Sequence, residues 1–230
     1  MAKGFSQMEG LDFYETFASI ARLESIRILP AYASSHDIKL FQMDVKSAFL
    51  NGYINELVYV EETTGFEDPR YPKHVYRLSM ALYGLKQAPR AWYERLRDFL
   101  IEKGFKIGKV DTTLFTKKMN GEIFICIVYV DDIIFGSTNE DFCKEFGDLM
   151  SKEFKMSMIG ELSFFLRFQV KQMKEGVFIS QEKLLTPVKL QNLLAFISPL
   201  GMISTRIGLS LTISMSFAYS VFSRDYFRKS

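Results

Sequence analysis

Two apolar runs, Ile123 to Val128 and Ile133 to Phe135, are separated by Tyr129-Val130-Asp131-Asp132. A strand, a two-residue break and a second strand have the spacing of a β-hairpin, so we predict that Asp131 and Asp132 form its turn. The first run is apolar on both faces instead of alternating. This pattern is typical of a central strand that is covered by helices.

Apolar residues at helical spacing predict two further elements. The first helix begins at Pro89, which suits a first-turn position, and ends before Gly104. The second helix runs from Glu140 to Phe154, with Asn139 as its N-cap. Both apolar stripes favour core faces over cofactor sites.

Short β-rich stretches account for most of the remaining elements. They predict strands at residues 40–50, 57–61, 75–78, 158–170 and 177–180. Together with the hairpin and the helices, they indicate an α+β fold with an antiparallel-rich sheet and helices on one face.

Composition bounds the class of protein without naming a partner. The chain has 230 residues, is 48% hydrophobic and carries a formal net charge of +2, which fits one substantial domain or a domain with an appendage. The first residues lack the basic stretch followed by an apolar one that marks a secretory signal, so an intracellular setting, cytoplasmic or nuclear, is expected. Cys126 and Cys143 are expected in or near the core, since neither a disulfide framework nor a zinc cluster is indicated.

The sequence changes character near Lys183. Residues 184–224 contain no Asp or Glu. We interpret residues 184–230 as an atypical tail, frame-shifted or spliced on, that packs poorly. A membrane segment at residues 207–222 is the alternative, but it is short and rich in Ser and Thr for a bilayer span of about 20 apolar residues, so no stable membrane association is expected.

Three carboxylates are candidates for chemistry. If the strand that contains Asp44 lies beside the hairpin, Asp44, Asp131 and Asp132 form a cluster with a formal charge of −3, which calls for a cation. Mg²⁺ prefers carboxylates together with substrate phosphates, and two such ions serve in-line displacement at phosphorus. The pattern therefore indicates phosphoryl or nucleotidyl transfer, although solvated turn residues remain the alternative for the Asp pair.

A basic and aromatic segment precedes and enters the first helix. Between residues 70 and 97, one acidic residue, Glu94, stands against seven basic ones: Arg70, Lys73, Arg77, Lys86, Arg90, Arg95 and Arg97. Five aromatic residues are interleaved with them: Tyr71, Tyr76, Tyr83, Trp92 and Tyr93. This fits a surface that meets a phosphate backbone and stacks on bases, and it fits equally a solvated helix face whose aromatics lie in the core.

The order of these motifs resembles the reverse transcriptase domain of copia-type LTR retrotransposons. The matching segments cover residues 1 to about 183 and are specific as a set: Ala2 to Gln7, Phe41 to Gly52, Ala81 to Trp92, Tyr129 to Asp132 and Gly160 to Leu162. The resemblance implies a right-hand polymerase palm with partial fingers over residues 1–183, an antiparallel sheet backed by helices, and a truncated thumb.

The resemblance also implies the roles of particular residues. Asp44, Asp131 and Asp132 would bind two Mg²⁺ ions, with Mn²⁺ as a possible substitute, and the main-chain carbonyl of Val45 would complete a metal site. Nucleotide-binding roles fall on Val45, Phe49, Tyr83, Gly84 and Gln87. Phe49 would lie under the sugar and favour deoxynucleotides, with a core phenylalanine as the alternative. Template or primer contacts fall on Lys86, Arg90, Tyr129 and Val130. The implied partners are an RNA or DNA template with its primer, and dNTPs.

Several departures from the family pattern lower the expected activity. The basic residues that the family places upstream are represented only by Lys3, Pro30 interrupts a helical stretch at residues 20–33, and Arg167 stands where the family usually has glycine. We therefore expect DNA polymerisation by ancestry that is weak or absent in this truncated copy. A catalytically silent nucleic-acid-binding remnant is the alternative.

Overall fold

The chain passes out of one structural unit after Val45 and returns to it at Phe105. The first unit comprises Met1–Ser19 and Lys46–Gly104, and the second comprises Ile20–Val45 and Phe105–Ser230. The computed structural model describes residues 2–62, 65–71, 73–166, 168–173, 176–180, 195–197 and 203–205.

The helices and strands follow one another in a mixed α+β order. The helices are α1 (Leu23–Ser35), α2 (Ala88–Glu102) and α3 (Glu140–Glu153). The strands are β1 (Lys39–Val45), β2 (Tyr59–Glu61), β3 (Val75–Arg77), β4 (Lys106–Ile107), β5 (Leu114–Met119), β6 (Glu122–Tyr129), β7 (Asp132–Ser137), β8 (Met156–Glu161), β9 (Phe164–Phe165), β10 (Phe168–Met173), β11 (Gly176–Ser180), β12 (Ala195–Ile197) and β13 (Ile203–Thr205). Short 3₁₀ turns occur at Gly4–Ser6 and Ala48–Asn51.

The second unit is built on a six-stranded antiparallel sheet with the order β4-β5-β6-β7-β1-β8. Strand β6 lies inside this sheet and its residues 124–128 are buried, which confirms the predicted central strand. The expectation that helices lie on one face is wrong, because α1 and α3 cover opposite faces. The α1 face buries Leu29, Leu40, Ile127 and Ile134. The α3 face joins the rings of Phe124, Phe135 and Phe146.

A five-stranded sheet with the order β13-β12-β11-β10-β9 completes the second unit. The single strand predicted at residues 158–170 is therefore wrong, since the chain divides there into β8, β9 and the start of β10. Leu166, with a φ of 46°, turns the chain between β9 and β10. Arg167 lies outside the described residues, as does most of the 184–230 tail, although β12 and β13 belong to it.

Helix α1 runs through Pro30 instead of stopping there. Proline removes one helical N–H, but Pro30 is buried together with Ile26 and Leu29, so packing of this face offsets the lost hydrogen bond. Asn139 caps α3 as predicted, with its side chain accepting a hydrogen bond from the Asp141 N–H. Within the described part of the chain, none of the helices has the length and apolar character needed to cross a membrane.

The first unit contains α2 and the two-stranded β2-β3 sheet. The strand predicted for residues 40–50 ends at Val45, because Ser47 takes up a left-handed conformation with a φ of 56° and a 3₁₀ turn follows. Helix α2 begins one residue before Pro89, which stays in the first turn. A small core joins α2 to the loops before it and buries Ile54, Val58, Ala81, Leu85, Ala88 and Ala91.

Candidate active site

Strand pairing in the second unit brings Asp44 and Asp132 side by side. Asp44 of β1 is the antiparallel partner of Asp132 of β7. Residues directly opposite one another point to the same face, and their Cβ atoms lie about 4.5–5.5 Å apart. The same row continues to Tyr129 on β6 and to Ser157 on β8. The predicted meeting of the two motifs is therefore confirmed at the level of backbone register.

The hairpin turn consists of Val130 and Asp131, one residue earlier than predicted. Tyr129 pairs with Asp132, so Asp132 is the first residue of β7 and not a turn residue. Val130 has a φ of 57°, a conformation that β-branched residues seldom adopt and that costs on the order of 1–3 kcal/mol. The turn is nevertheless held, because the carbonyl oxygen of Asp131 accepts a hydrogen bond of 2.9 Å from the N–H of Val45.

The carboxylates differ in their surroundings. Asp131 is exposed at the turn, whereas Asp44 and Asp132 are half-buried. Burial, followed by the negative charges of Asp131 and Asp44, raises the pKa of Asp132 to about 6. The three groups are thus close enough to interact, and a cation placed among them would relieve the repulsion.

A buried carboxylate that the sequence did not single out supports the strand leading into the turn. The Asp111 side chain accepts hydrogen bonds from the N–H of Thr113 at 2.9 Å, from its hydroxyl at 2.6 Å and from the N–H of Arg22 at 3.2 Å. Burial alone would raise the pKa of Asp111, but hydrogen bonds, first from Ser25 and then from Thr113, lower it. The Thr113 carbonyl then accepts a hydrogen bond from the N–H of Val128, three residues before Asp131.

In the first unit, the segment before α2 is tightly held. The ring of Tyr83 lies 5.0 Å from that of Phe49 between centroids. The Tyr83 carbonyl accepts a hydrogen bond of 2.8 Å from the Ala2 N–H. Gly84 has a φ of 99°, which favours glycine. A Cβ added to Gly4 would lie 1.8 Å from the carbonyl oxygen of Gly84, so Gly4 has no room for a side chain.

The polar residues of this segment face the N-terminal segment of the chain. Lys86 donates from Nζ to the carbonyl of Gln7 at 3.0 Å and lies over the ring of Phe13 at 4.9 Å. Gln87 is buried. Arg90 forms ion pairs with Glu94 at 3.0 Å and with Glu15 at 3.4 Å. Three residues predicted to bind nucleotide or template are therefore engaged with protein groups in this structure.

Comparison with known proteins identifies the family. The model of the family described as reverse transcriptase (RNA-dependent DNA polymerase) matches residues 1–195. The chain belongs to this family.

Relatives place it within the copia-like retrotransposons. The chain is 38% identical over 183 residues to the retrovirus-related Pol polyprotein from transposon RE2 of Arabidopsis thaliana, a match that covers 80% of the chain and 13% of the polyprotein. It is 36% identical over 187 residues to the Pol polyprotein from transposon TNT 1-94 of Nicotiana tabacum, covering 80% of the chain and 14% of that polyprotein. The chain thus spans about an eighth of the length of these relatives and is a reverse transcriptase domain of copia-like type.

The predicted site residues of this reverse transcriptase domain divide between the two units. The second unit contains Asp44, Val45, Tyr129, Val130, Asp131 and Asp132 on two paired strands and their turn. The first unit contains Phe49 on the 3₁₀ turn, Arg90 in the first turn of α2, and the remaining four in the loop before α2: Tyr83, Gly84, Lys86 and Gln87. Sequence reasoning missed two supporting residues, Asp111 and Gln7. Gln7 stands in a matching segment, but neither residue has a local pattern that signals its long-range contacts.

The carboxylate oxygens of Asp44, Asp131 and Asp132 are negatively charged hard ligands, which suit a divalent cation such as Mg²⁺. Across the ranges that the structure describes, no three His, Cys, Asp or Glu side chains form a group that could hold a metal ion. Mg²⁺ does not need such a group, since it is commonly held by one or two carboxylates and completes its shell with water and substrate phosphates. The paired Asp44 and Asp132 with the exposed Asp131 fit this mode of binding.

Proposed function

We propose that this domain forms the palm and part of the fingers of an RNA-directed DNA polymerase and that Asp44, Asp131 and Asp132 carry its nucleotidyl transfer. The observation that supports this most directly is the antiparallel pairing of Asp44 with Asp132 beside a turn that presents Asp131. The substrates would be dNTPs and a primed RNA or DNA template.

The three carboxylates would hold two Mg²⁺ ions, or Mn²⁺ in their place, with the Val45 carbonyl as a further ligand. Bound metal would lower the pKa of the primer 3′-hydroxyl and neutralise charge on the triphosphate and the leaving pyrophosphate. Asp132, with its pKa near 6, is ionised above that pH and available as a ligand. Tyr129 and Val130, beside the carboxylates, would border the primer terminus.

Groups of the first unit would bind the nucleotide and the template. Phe49, half-buried against Tyr83, would lie under the sugar and favour deoxynucleotides. Gly84 is exposed and has no side chain, so a base or sugar can approach its backbone closely. Lys86 and Arg90 are the candidates for phosphate contacts, and Gln87 belongs to the same segment.

Primer extension tests this proposal directly. The full chain, supplied with a primed RNA template, dNTPs and Mg²⁺, should extend the primer, at a low rate because of the departures from the family pattern at Pro30 and Arg167. Asp131→Asn should reduce the rate at least about 1,000-fold while leaving the fold intact, because it removes a charge that the transition state requires. Asp148→Asn, an exposed change on α3, is the matched control and should leave extension unchanged. Undiminished activity in Asp131→Asn would sink the assignment.

The exposed part of the basic segment favours a second function, nucleic-acid binding without catalysis. Arg70, Tyr71, Lys73, Tyr76 and Arg77 are all exposed, and this combination suits backbone contact and base stacking. Salt-sensitive binding of the template without any dNTP incorporation by the wild-type chain would establish this function in place of polymerisation.

A further inference from the structure

Two glutamine side chains connect the N-terminal segment of the first unit with the segment before α2. Gln7 Oε1 accepts a hydrogen bond of 2.9 Å from the N–H of Lys86. Gln7 Nε2 donates at 3.1 Å to Gln87 Oε1, and Gln87 Nε2 donates at 3.2 Å to the carbonyl of Asp12. The Lys86 N–H, the two glutamine carboxamides and the Asp12 carbonyl are thus connected by three consecutive hydrogen bonds.

The direction of donation in these three hydrogen bonds is fixed at both ends. The Lys86 N–H can only donate, so the Gln7 atom that faces it is the amide oxygen. The Asp12 carbonyl can only accept, so the Gln87 atom that faces it is the amide nitrogen. The Gln7 nitrogen and the Gln87 oxygen are then left to meet each other, as they do. Neither carboxamide can flip without breaking two hydrogen bonds.

These hydrogen bonds are more than a surface contact because Gln87 is buried. Gln87 is only 2% exposed, so its amide oxygen relies on Gln7 and not on bulk water. The same two segments also meet at Ala2 and Tyr83, and at Gly4 and Gly84, where the backbones approach too closely for a side chain. The contacts together fix the backbone of residues 83–87 from one side.

We infer that the Gln7–Gln87 relay, defined as these three hydrogen bonds, sets the backbone of residues 83–87 and makes Gln7 a positioning residue for the nucleotide and template. The effect on substrate rests on the proposed function, in which Tyr83, Gly84 and Lys86 meet substrate. Gln7 itself acts only through Lys86 and Gln87, which are proposed to contact substrate and not to carry the chemical step, so its loss should be seen mainly in the KM.

Amide hydrogen exchange and primer extension on the full chain test the relay together. In Gln7→Ala, the Lys86 amide should exchange about tenfold faster, while amides of β6 in the second unit stay unchanged. The dNTP KM should rise about fivefold with kcat within about twofold of wild type, whereas a purely structural defect would lower kcat with the folded fraction and leave KM unchanged.

Two further variants keep the test decisive. Gln7→Glu retains the acceptor for Lys86 but sets two oxygens against each other at Gln87, so its KM should lie between those of wild type and Gln7→Ala. Glu9→Ala, an exposed change in the same segment, should match wild type in both measurements. Unchanged Lys86 exchange in Gln7→Ala, or an equal effect in Glu9→Ala, overturns the inference. If the wild-type chain extends no primer, the proposed function fails, and the exchange result alone decides whether the relay holds residues 83–87.

Discussion

The two units hold their candidate functional residues by different kinds of bond. In the second unit, Asp44 and Asp132 are placed by the backbone ladder of paired strands, and the turn is tied by the hydrogen bond between Val45 and Asp131. In the first unit, Lys86, Gln87 and Arg90 are held by separate hydrogen bonds, each with a side chain as donor or acceptor, to residues that lie 75–80 positions away in the sequence.

This difference determines how each unit should respond to mutation. A ladder is cooperative, since a shift in register between two strands changes every pair along them. A set of separate side-chain contacts loses its members one at a time, and exposed ion pairs contribute little individually. The carboxylates should therefore be sensitive to changes that move backbone, and the segment before α2 to changes in the few buried polar atoms.

The largest effect on stability is expected at Gly136. This residue of β7 pairs with Leu40, and an added Cβ would lie 2.7 Å from the Lys39 carbonyl oxygen and 2.7 Å from Ile38 Cγ2. Gly136→Ala should lower the free energy of unfolding by about 2–3 kcal/mol, because backbone must move to admit the methyl group. Urea unfolding of the full chain measures this change.

Gly121→Ala is the comparison for Gly136→Ala. Gly121 lies in the turn between β5 and β6 with a φ of 85°, and a Cβ added there would have open space around it, with no neighbouring atom within 4 Å. Its substitution should cost about 1 kcal/mol from backbone strain alone. If Gly136→Ala costs no more than Gly121→Ala, the strands accommodate the methyl group, and the ladder is less rigid than its register suggests.

An intermediate effect, with the opposite sign, is expected at Asp132. Its pKa in the folded chain, about 6, lies above its ordinary value of 3.8. The folded state therefore binds the proton more tightly, so stability falls as the pH rises from about 4 to 6, and the full penalty applies above pH 6. The difference between these two pKa values corresponds to a stability penalty of at most about 3 kcal/mol, and solvent screening of this half-buried group leaves about 1–2 kcal/mol.

Asp132→Asn should accordingly stabilise the metal-free chain by about 1–2 kcal/mol at pH 7.5 and by nothing measurable at pH 3.5, while it abolishes primer extension. Thermal unfolding in EDTA at the two pH values gives the comparison. Asp148→Asn controls for a general change in surface charge. A pH-independent gain would show that electrostatic repulsion among the carboxylates is not its source.

The carboxylate pair can be predicted from sequence because its placement depends on local patterns. Two apolar runs around a two-residue break specify a hairpin, and their extent gives the strands. The predicted turn lies one residue too late, since φ above zero at Val130 is a conformation that its residue type disfavours. Whether Asp44 lies beside Asp131 and Asp132 depends on the order of the strands in the sheet. Periodicity does not give that order, whereas the family resemblance implies it.

The arrangement before α2 cannot be predicted in the same way. Gln7 and Gln87 are 80 residues apart, and a glutamine carries no pattern that announces its partner. The basic and aromatic composition of residues 70–97 is compatible with an open binding surface, yet Lys86 and Arg90 bind protein groups and Gln87 is buried. Composition reports which groups are present, whereas tertiary contacts decide which of them face solvent.

The smallest effect is expected at the Arg90 ion pairs. The carboxylate of Glu15 is 58% exposed and lies 3.4 Å from the guanidinium, which also pairs with Glu94 at 3.0 Å. Glu15→Gln should change the free energy of unfolding by less than about 0.5 kcal/mol, since exposed pairs are screened by water and salt. Glu94→Gln, the i,i+4 partner on α2, should give a similarly small change. Because both glutamates pair with the guanidinium of Arg90, the loss in the double variant should depart from the sum of the two single losses, although the total stays small in urea unfolding. A loss above about 1.5 kcal/mol for Glu15→Gln alone would exceed what an exposed ion pair contributes. It would show instead that the N-terminal segment and α2 unfold as one cooperative unit. The first unit would then respond to mutation as cooperatively as the paired strands of the second unit.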